Sequence, residues 1–413
     1  MKFFLLLTWL FSIMISVFWT YDNPDKIEVI KSKIKKFKEP EQKYLNEDLE
    51  KLEVVEANSF KVSHKKIISL NEKTAFINSN IKNGEKFDKN KITIFTQTGY
   101  KIQNRNIEKL NLGKNFHLES NGGIKTIITA NKKTFGLISS KRGDCYYASI
   151  NEINSGEELF KTDCLPKQRK KFDFNGLGTS FINFRDTIYM SLGTPTRNSD
   201  KISQLAQNEN SFFGKIIAIK KKDFNEKKLN PQIFSSGHRT PQGMTRINDK
   251  FFSVEHGPKG GDELNRIKDG RNYGWPTVSY GTKYNYDNKG KSYNLDHEAQ
   301  GFEEPIFAFV PSIGISALNN CPKILKQYYK KNCLMGLSLY GNDLRQGKSI
   351  IIFLLNKELN KINSIEKIYL GGNYPLRHFV TDSNNELFED NDGNIYVSID
   401  KKGIFRINFF DFR

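Results

Sequence analysis

Three stretches share one layout: Phe184-Arg-Asp-Thr-Ile-Tyr-Met-Ser-Leu-Gly193, Ile247-Asn-Asp-Lys-Phe-Phe-Ser-Val-Glu-His256 and Asn391-Asp-Gly-Asn-Ile-Tyr-Val-Ser-Ile-Asp400. Each opens on a polar turn containing Asp, continues with an apolar-aromatic pair, and runs into a short strand containing Ser. Outward from these units, similar short β-rich runs recur at Ile92–Thr98, Ile124–Ile128 and Ile350–Leu354, punctuated by Asn, Asp and Gly. No long 3.6-residue apolar period separates them, which predicts an all-β chain rather than an α/β one. Recurrence of a turn-plus-strand unit predicts propeller blades, with a pair of β-sandwiches as the alternative.

Composition agrees with a packed protein. Of 413 residues, 37% are hydrophobic and 13% aromatic, too apolar for disorder. The net charge of +18 comes from 64 Lys and Arg against 46 Asp and Glu. The basic residues are scattered and interleaved with acids, and no nucleic-acid module is visible. They read as a solvated surface, so no nucleic-acid partner is expected.

The chain opens with Met-Lys and an apolar run from Phe3 to Trp19. That pattern predicts export, as a cleaved signal peptide or as an anchor formed by residues 3–19; a buried core helix is the remaining alternative. Residues 1–21 are assigned to this segment and 22–60 to a polar lead-in with helical character over Asn46–Val55. Residues 61–413 are assigned to the propeller. The expected location is periplasmic or extracellular. The four cysteines fit export, and their proximity favours Cys145–Cys164 and Cys321–Cys333 over free thiols or a metal site.

The segment 237–276 differs from the rest. It reads Gly237-His-Arg-Thr-Pro-Gln-Gly243, then Glu255-His-Gly-Pro-Lys-Gly-Gly-Asp-Glu-Leu-Asn265, then Asn272-Tyr-Gly-Trp-Pro276. Glycines around Pro258 let backbone carbonyls converge, as a hard cation requires. Asp262 and Glu263 add carboxylate oxygens, Tyr273 a phenolic or main-chain oxygen, and Arg239 a fork of donors for anionic oxygens. A tight loop around a buried Trp275 is the alternative reading of the same residues.

This ordered run resembles the signature of the soluble quinoprotein sugar dehydrogenases, the glucose/sorbosone dehydrogenase family. Weaker likeness extends from about Phe172 to Phe405, including Pro311-Ser-Ile-Gly-Ile-Ser316, whereas residues 1 to about 130 do not match. The resemblance implies a six-bladed β-propeller that binds pyrroloquinoline quinone (PQQ) and calcium. It implies oxidation of a sugar or related alcohol at CH–OH, with a His as base and electrons passing to a respiratory acceptor. Carried over by position, Gly257 and Pro258 match carbonyl ligands of the cofactor-side calcium, and Glu263 and Tyr273 a second calcium site. Arg239 and Arg377 match quinone-binding arginines.

Four positions depart from the pattern: Asn175 stands in the slot of the catalytic His, Thr240 in that of an Asn, Tyr340 in that of a Lys, and Pro375 in that of an Arg. Asn cannot act as a general base near neutral pH. His238 and His256 are candidate replacements, although the family's equivalent of His238 is structural. Two functions stay open: a quinoprotein oxidoreductase with a remodelled site, and a non-catalytic, calcium-braced propeller binding a glycan or protein, with Tyr340 as a stacking platform.

Overall fold

The three quoted segments occupy the same place in three different sheets. Each supplies the second strand of its sheet: Thr187–Leu192, Lys250–Glu255 and Ile395–Ile399. The first two follow two-residue hairpin loops in which Arg185 and Asn248 take positive φ of 56° and 55°. Asn tolerates that region readily, whereas Arg does so at some cost. Val254, Val397 and Ile188 are fully buried, because each blade face is covered by a neighbouring blade.

A computed structural model describes residues 52–167, 173–195, 200–283, 293–340, 348–372 and 374–413. The apolar N-terminal segment lies outside them; among the described residues no helix is long and apolar enough to cross a membrane. Six antiparallel sheets form the six blades of a propeller. Their first strands are Thr74–Ser79, Ile124–Ala130, Phe181–Phe184, Pro241–Ile247, Ile315–Asn320 and Leu376–Phe379, taken here as opening blades 1 to 6. Blades 1 to 5 are four-stranded and run in chain order.

Blade 6 closes the ring. Its third strand, Gly403–Phe410, pairs with Lys61–Ser69 from the start of the chain, in register from Lys61 opposite Phe410 to Ser69 opposite Gly403. Glu53–Glu56 adds a fifth, outermost strand, paired antiparallel with Lys61–His64. This corrects two expectations. The propeller sheet begins at Glu53 rather than at residue 61, and the C-terminal part of the expected helix Asn46–Val55 is β-strand. The reason is tertiary: Lys61–Ser69, already paired to the last strand, offers a free edge that a short β-branched segment completes.

Both expected disulfides are present. Cys145–Cys164 links the third strand of blade 2 to the segment beyond its fourth, and Cys321–Cys333 spans the connection between the first two strands of blade 5. The bridges close short loops of 19 and 12 residues. Replacing either pair by serine should lower stability by about 3 kcal/mol in a urea titration. Four alkylatable thiols in the native protein would contradict both bridges.

Candidate active site

The loops leading into the first strands of the six blades converge on one cavity of about 990 Å³ at the mouth of the propeller. Asn175, Arg239, Thr240, Gly257, Pro258, Tyr340 and Arg377 all line it. Lys73, Lys125, Lys259 and His378 join them, and the only lining carboxylate among the described residues is Asp262. Glu263 and Tyr273 do not reach the cavity; they stand one layer behind, in blade 4.

The glycine-rich loop is held by Asp262 and Arg239. Asp262 accepts from the Gly257 N–H at 3.1 Å through one oxygen, and from the N–H groups of Ile313, Gly314 and Ile315 at 3.0, 2.6 and 3.2 Å through the other. Successive backbone N–H groups make such an anion nest. Both oxygens are therefore occupied by backbone, and Asp262 clamps two loops rather than serving as a spare cation ligand. Arg239 donates from Nη1 to the carbonyls of His256 and Gly257 at 2.9 and 2.7 Å, and its guanidinium lies over the Trp275 ring. Thr240 is buried and its carbonyl accepts from the His256 N–H.

Behind this loop sit two carboxylates on adjacent strands, the buried Glu255 opposite the half-buried Glu263. Glu255 is well supplied: His238 Nδ1 lies 2.9 Å from Oε1, Asn265 Nδ2 donates to Oε1, and the Arg239 N–H donates to Oε2. Burial opposes its ionisation, but the His238 contact and these donors override it and hold its pKa below the usual carboxylate range. Among the described residues Glu263 accepts from Asn265 Nδ2 alone, at 3.1 Å, and burial together with the Glu255 charge pushes it up to about 8. A site of this kind favours a proton or a cation beside it.

His238 is sealed between Glu255 and Ser235 and stacks on Tyr273, away from the cavity, which makes it structural. The Tyr273 hydroxyl donates to the Arg266 carbonyl and accepts from the Lys268 N–H. Its phenol is thus engaged with the backbone of residues 266 and 268. Among the described residues no three His, Cys, Asp or Glu side chains form a metal-binding cluster. Arg377 is gripped by both oxygens of Asp400, through Nε and Nη2.

Residues absent from the sequence reading complete the cavity. Lys125, on the first strand of blade 2, donates to the carbonyls of Asn121 and Phe174 at 2.8 and 3.3 Å. Burial, with Arg377 and Lys73 nearby, lowers its pKa to about 7 against a raising influence from Asp173. His378 Nδ1 is 2.9 Å from Thr74 Oγ1, and burial and Arg377 push it down to about 3. Burial also lowers His256, with Arg239 reinforcing the shift against Asp262. The signal for Lys125 was a lone cation inside an apolar strand, Ile124-Lys-Thr-Ile127.

Fold and site together define a six-bladed propeller with a cation-rich central cavity built on a glycine-rich loop. Residues 146–405 match the sequence profile of the glucose/sorbosone dehydrogenases. The chain belongs to that family. It is 36% identical over 93 residues to the aldose sugar dehydrogenase of Escherichia coli, a match covering 21% of this chain and 24% of that protein. About a quarter of that relative's length is therefore aligned. The fold resembles the apo crystal structure of the soluble aldose sugar dehydrogenase from E. coli, with TM-score 0.62 at 18% identity over 84% of this chain and 99% of the other. It also resembles the PQQ-bound form of an aldose sugar dehydrogenase from Streptomyces coelicolor, with TM-score 0.50 at 16% identity, covering 86% and 100%.

Proposed function

We propose that this chain is an exported quinoprotein oxidoreductase that oxidises a sugar or related alcohol at a CH–OH carbon. One observation carries the reading: a cavity of about 990 Å³ lined by Lys73, Lys125, Arg239, Lys259 and Arg377, whose single lining carboxylate among the described residues is satisfied by backbone N–H groups. A low-dielectric cleft of one sign favours a compact polyanion. The planar tricarboxylate PQQ fits it in size and charge. Arg239 and Arg377 would hold its oxygens, with Thr240 and Tyr340 bounding the ring edge. When bound, the quinone supplies the oxidising half of the reaction by accepting hydride.

Calcium fits two places. The Gly257 carbonyl keeps a second lone pair beside the Arg239 bond, and Pro258 offers the next carbonyl. Glu263 supplies a half-buried carboxylate whose pKa is raised by desolvation and by the neighbouring Glu255 charge, a setting that a cation would relieve. The two disulfides support an extracytoplasmic location, with a respiratory carrier as electron acceptor and residues 3–19 as signal or anchor.

The test is to add PQQ and calcium to the purified protein, following quinone absorbance and dye reduction with a panel of sugars. Uptake and turnover are expected. Arg239→Leu should weaken quinone affinity roughly ten- to a hundredfold, since a charged hydrogen bond contributes about 1.5–3 kcal/mol. Asn175 in the place of the base and Tyr340, 61% exposed at the rim, favour the second reading, a calcium-braced propeller that binds a glycan or protein. Calcium-dependent stability without quinone uptake would select it.

A further inference from the structure

Oxidation of a CH–OH group releases a proton that some group in the cavity must accept. Asn175 cannot take it. His378 is held by Thr74 and is weakly basic, and His256 sits against Arg239 with Asp262 behind it. Among the described residues three amines remain on the cavity wall, those of Lys73, Lys125 and Lys259, and Lys125 is the one whose Nζ is fixed in place by two backbone carbonyls.

Its position is built by three elements. The strand Ile124–Ala130 of blade 2 carries the side chain across to the short turn Phe174–Gly176 before blade 3. There Nζ donates to the carbonyl of Phe174, the residue immediately before Asn175, and to the carbonyl of Asn121. Asp173 ties those two carbonyl-bearing segments together, accepting from Asn121 Nδ2 at 2.9 Å and from the Asn175 N–H at 2.8 Å. A neutral amine has two N–H bonds and one lone pair. Two carbonyls satisfy the N–H bonds, so the lone pair is left for the cavity.

We propose that Lys125 is the proton acceptor of the reaction, its amine standing in for the imidazole that position 175 lacks, with Asp173 as its positioning residue. The proposal rests on the dehydrogenase reading above. In the step, the substrate O–H proton passes to the Lys125 lone pair. The C–H electron pair would leave as hydride to a bound quinone, the oxidant named above, and the carbinol carbon would become a carbonyl. The charged groups around the amine are Arg377, itself paired with Asp400, and Lys73, which favour the neutral form, and Asp173, which opposes it. Burial is the larger influence, and the first two, arriving from blades 6 and 1, add to it, so the base is free near neutral pH.

Two measurements test it. Competitive labelling of the full-length protein with acetic anhydride from pH 6 to 10, read by mass spectrometry, should show Lys125 gaining its reactivity near neutrality, well below the surface lysines labelled in the same sample. Lys125 titrating with the surface lysines overturns the proposal whatever the activity. In the quinone-loaded protein, Lys125→Met and Lys125→Arg should both lower kcat by about 10²- to 10⁴-fold with KM within a few-fold. The Arg variant keeps hydrogen-bond donors at the position but is permanently protonated, so it removes the base. Adding Asn175→His to Lys125→Met should recover at least tenfold. A wild-type kcat in either single variant overturns the proposal alone. A wild-type protein that takes up no quinone overturns the dehydrogenase reading, and the proton-acceptor role falls with it even if Lys125 titrates near neutrality.

Discussion

In the presence of a chelator the protein should lose about 5 kcal/mol of stability between pH 4.5 and 8 through Glu263 alone, at ~1.4 kcal/mol per unit of displaced pKa. The folded pKa is raised to about 8 from 4.5 by burial first and by the Glu255 charge second. Below pH 4.5 the carboxyl is protonated in folded and unfolded chains alike. Between 4.5 and 8 only the unfolded chain releases the proton, so stability falls as pH rises, and the loss levels off above 8. Lys125 and His378, whose folded pKa values are lowered to about 7 and about 3, act with the opposite sign in their own windows. The difference between wild type and Glu263→Gln isolates the one group. Urea titrations at pH 5 and pH 8 should show a pH-dependent wild type and a flatter variant. Calcium should stabilise the wild type at pH 8 more than the variant, which keeps only the Gly257–Pro258 site. Equal slopes for the two proteins would show that Glu263 is ionised without penalty.

Asp262→Ala should cost about 4 kcal/mol, because one carboxylate satisfies four backbone donors. Asp262 is 1% exposed, and Ile313 and Ile315 are buried with it, so water cannot replace the lost acceptor without opening the loops. Each buried donor left unpaired costs about 1–3 kcal/mol, reduced here by loop relaxation. Asp262→Asn keeps an acceptor oxygen but loses the charge, and should fall between alanine and wild type. Because Asp262 joins the Gly257 loop to the segment leading into blade 5, the alanine variant should also weaken quinone uptake more than its stability loss alone explains. An alanine variant within 1 kcal/mol of wild type in urea would falsify the clamp.

Much of the framework was legible in the chain itself. The strands at Thr187–Leu192, Lys250–Glu255 and Ile395–Ile399 were readable because alternation and turn chemistry act over a few residues. Cys145–Cys164 and Cys321–Cys333 were readable because short loops close at little entropic cost. The Gly237–Pro276 run was readable because one continuous segment carries Arg239, Gly257 and Pro258 into the site.

Tertiary structure alone decided the rest. Glu53–Glu56 becomes a strand only because Lys61–Ser69 has first paired with Gly403–Phe410, a contact between opposite ends of the chain. Asp262 looked like a free ligand until the ring brought the N–H groups of residues 313–315 against it. Lys73, Lys125, Asn175 and Arg377 come from blades 1, 2, 3 and 6 and share no local pattern. Local periodicity records which face of a strand is buried, but which cations surround one amine, and so where its proton equilibrium lies, is set by the closure of six blades around a common axis.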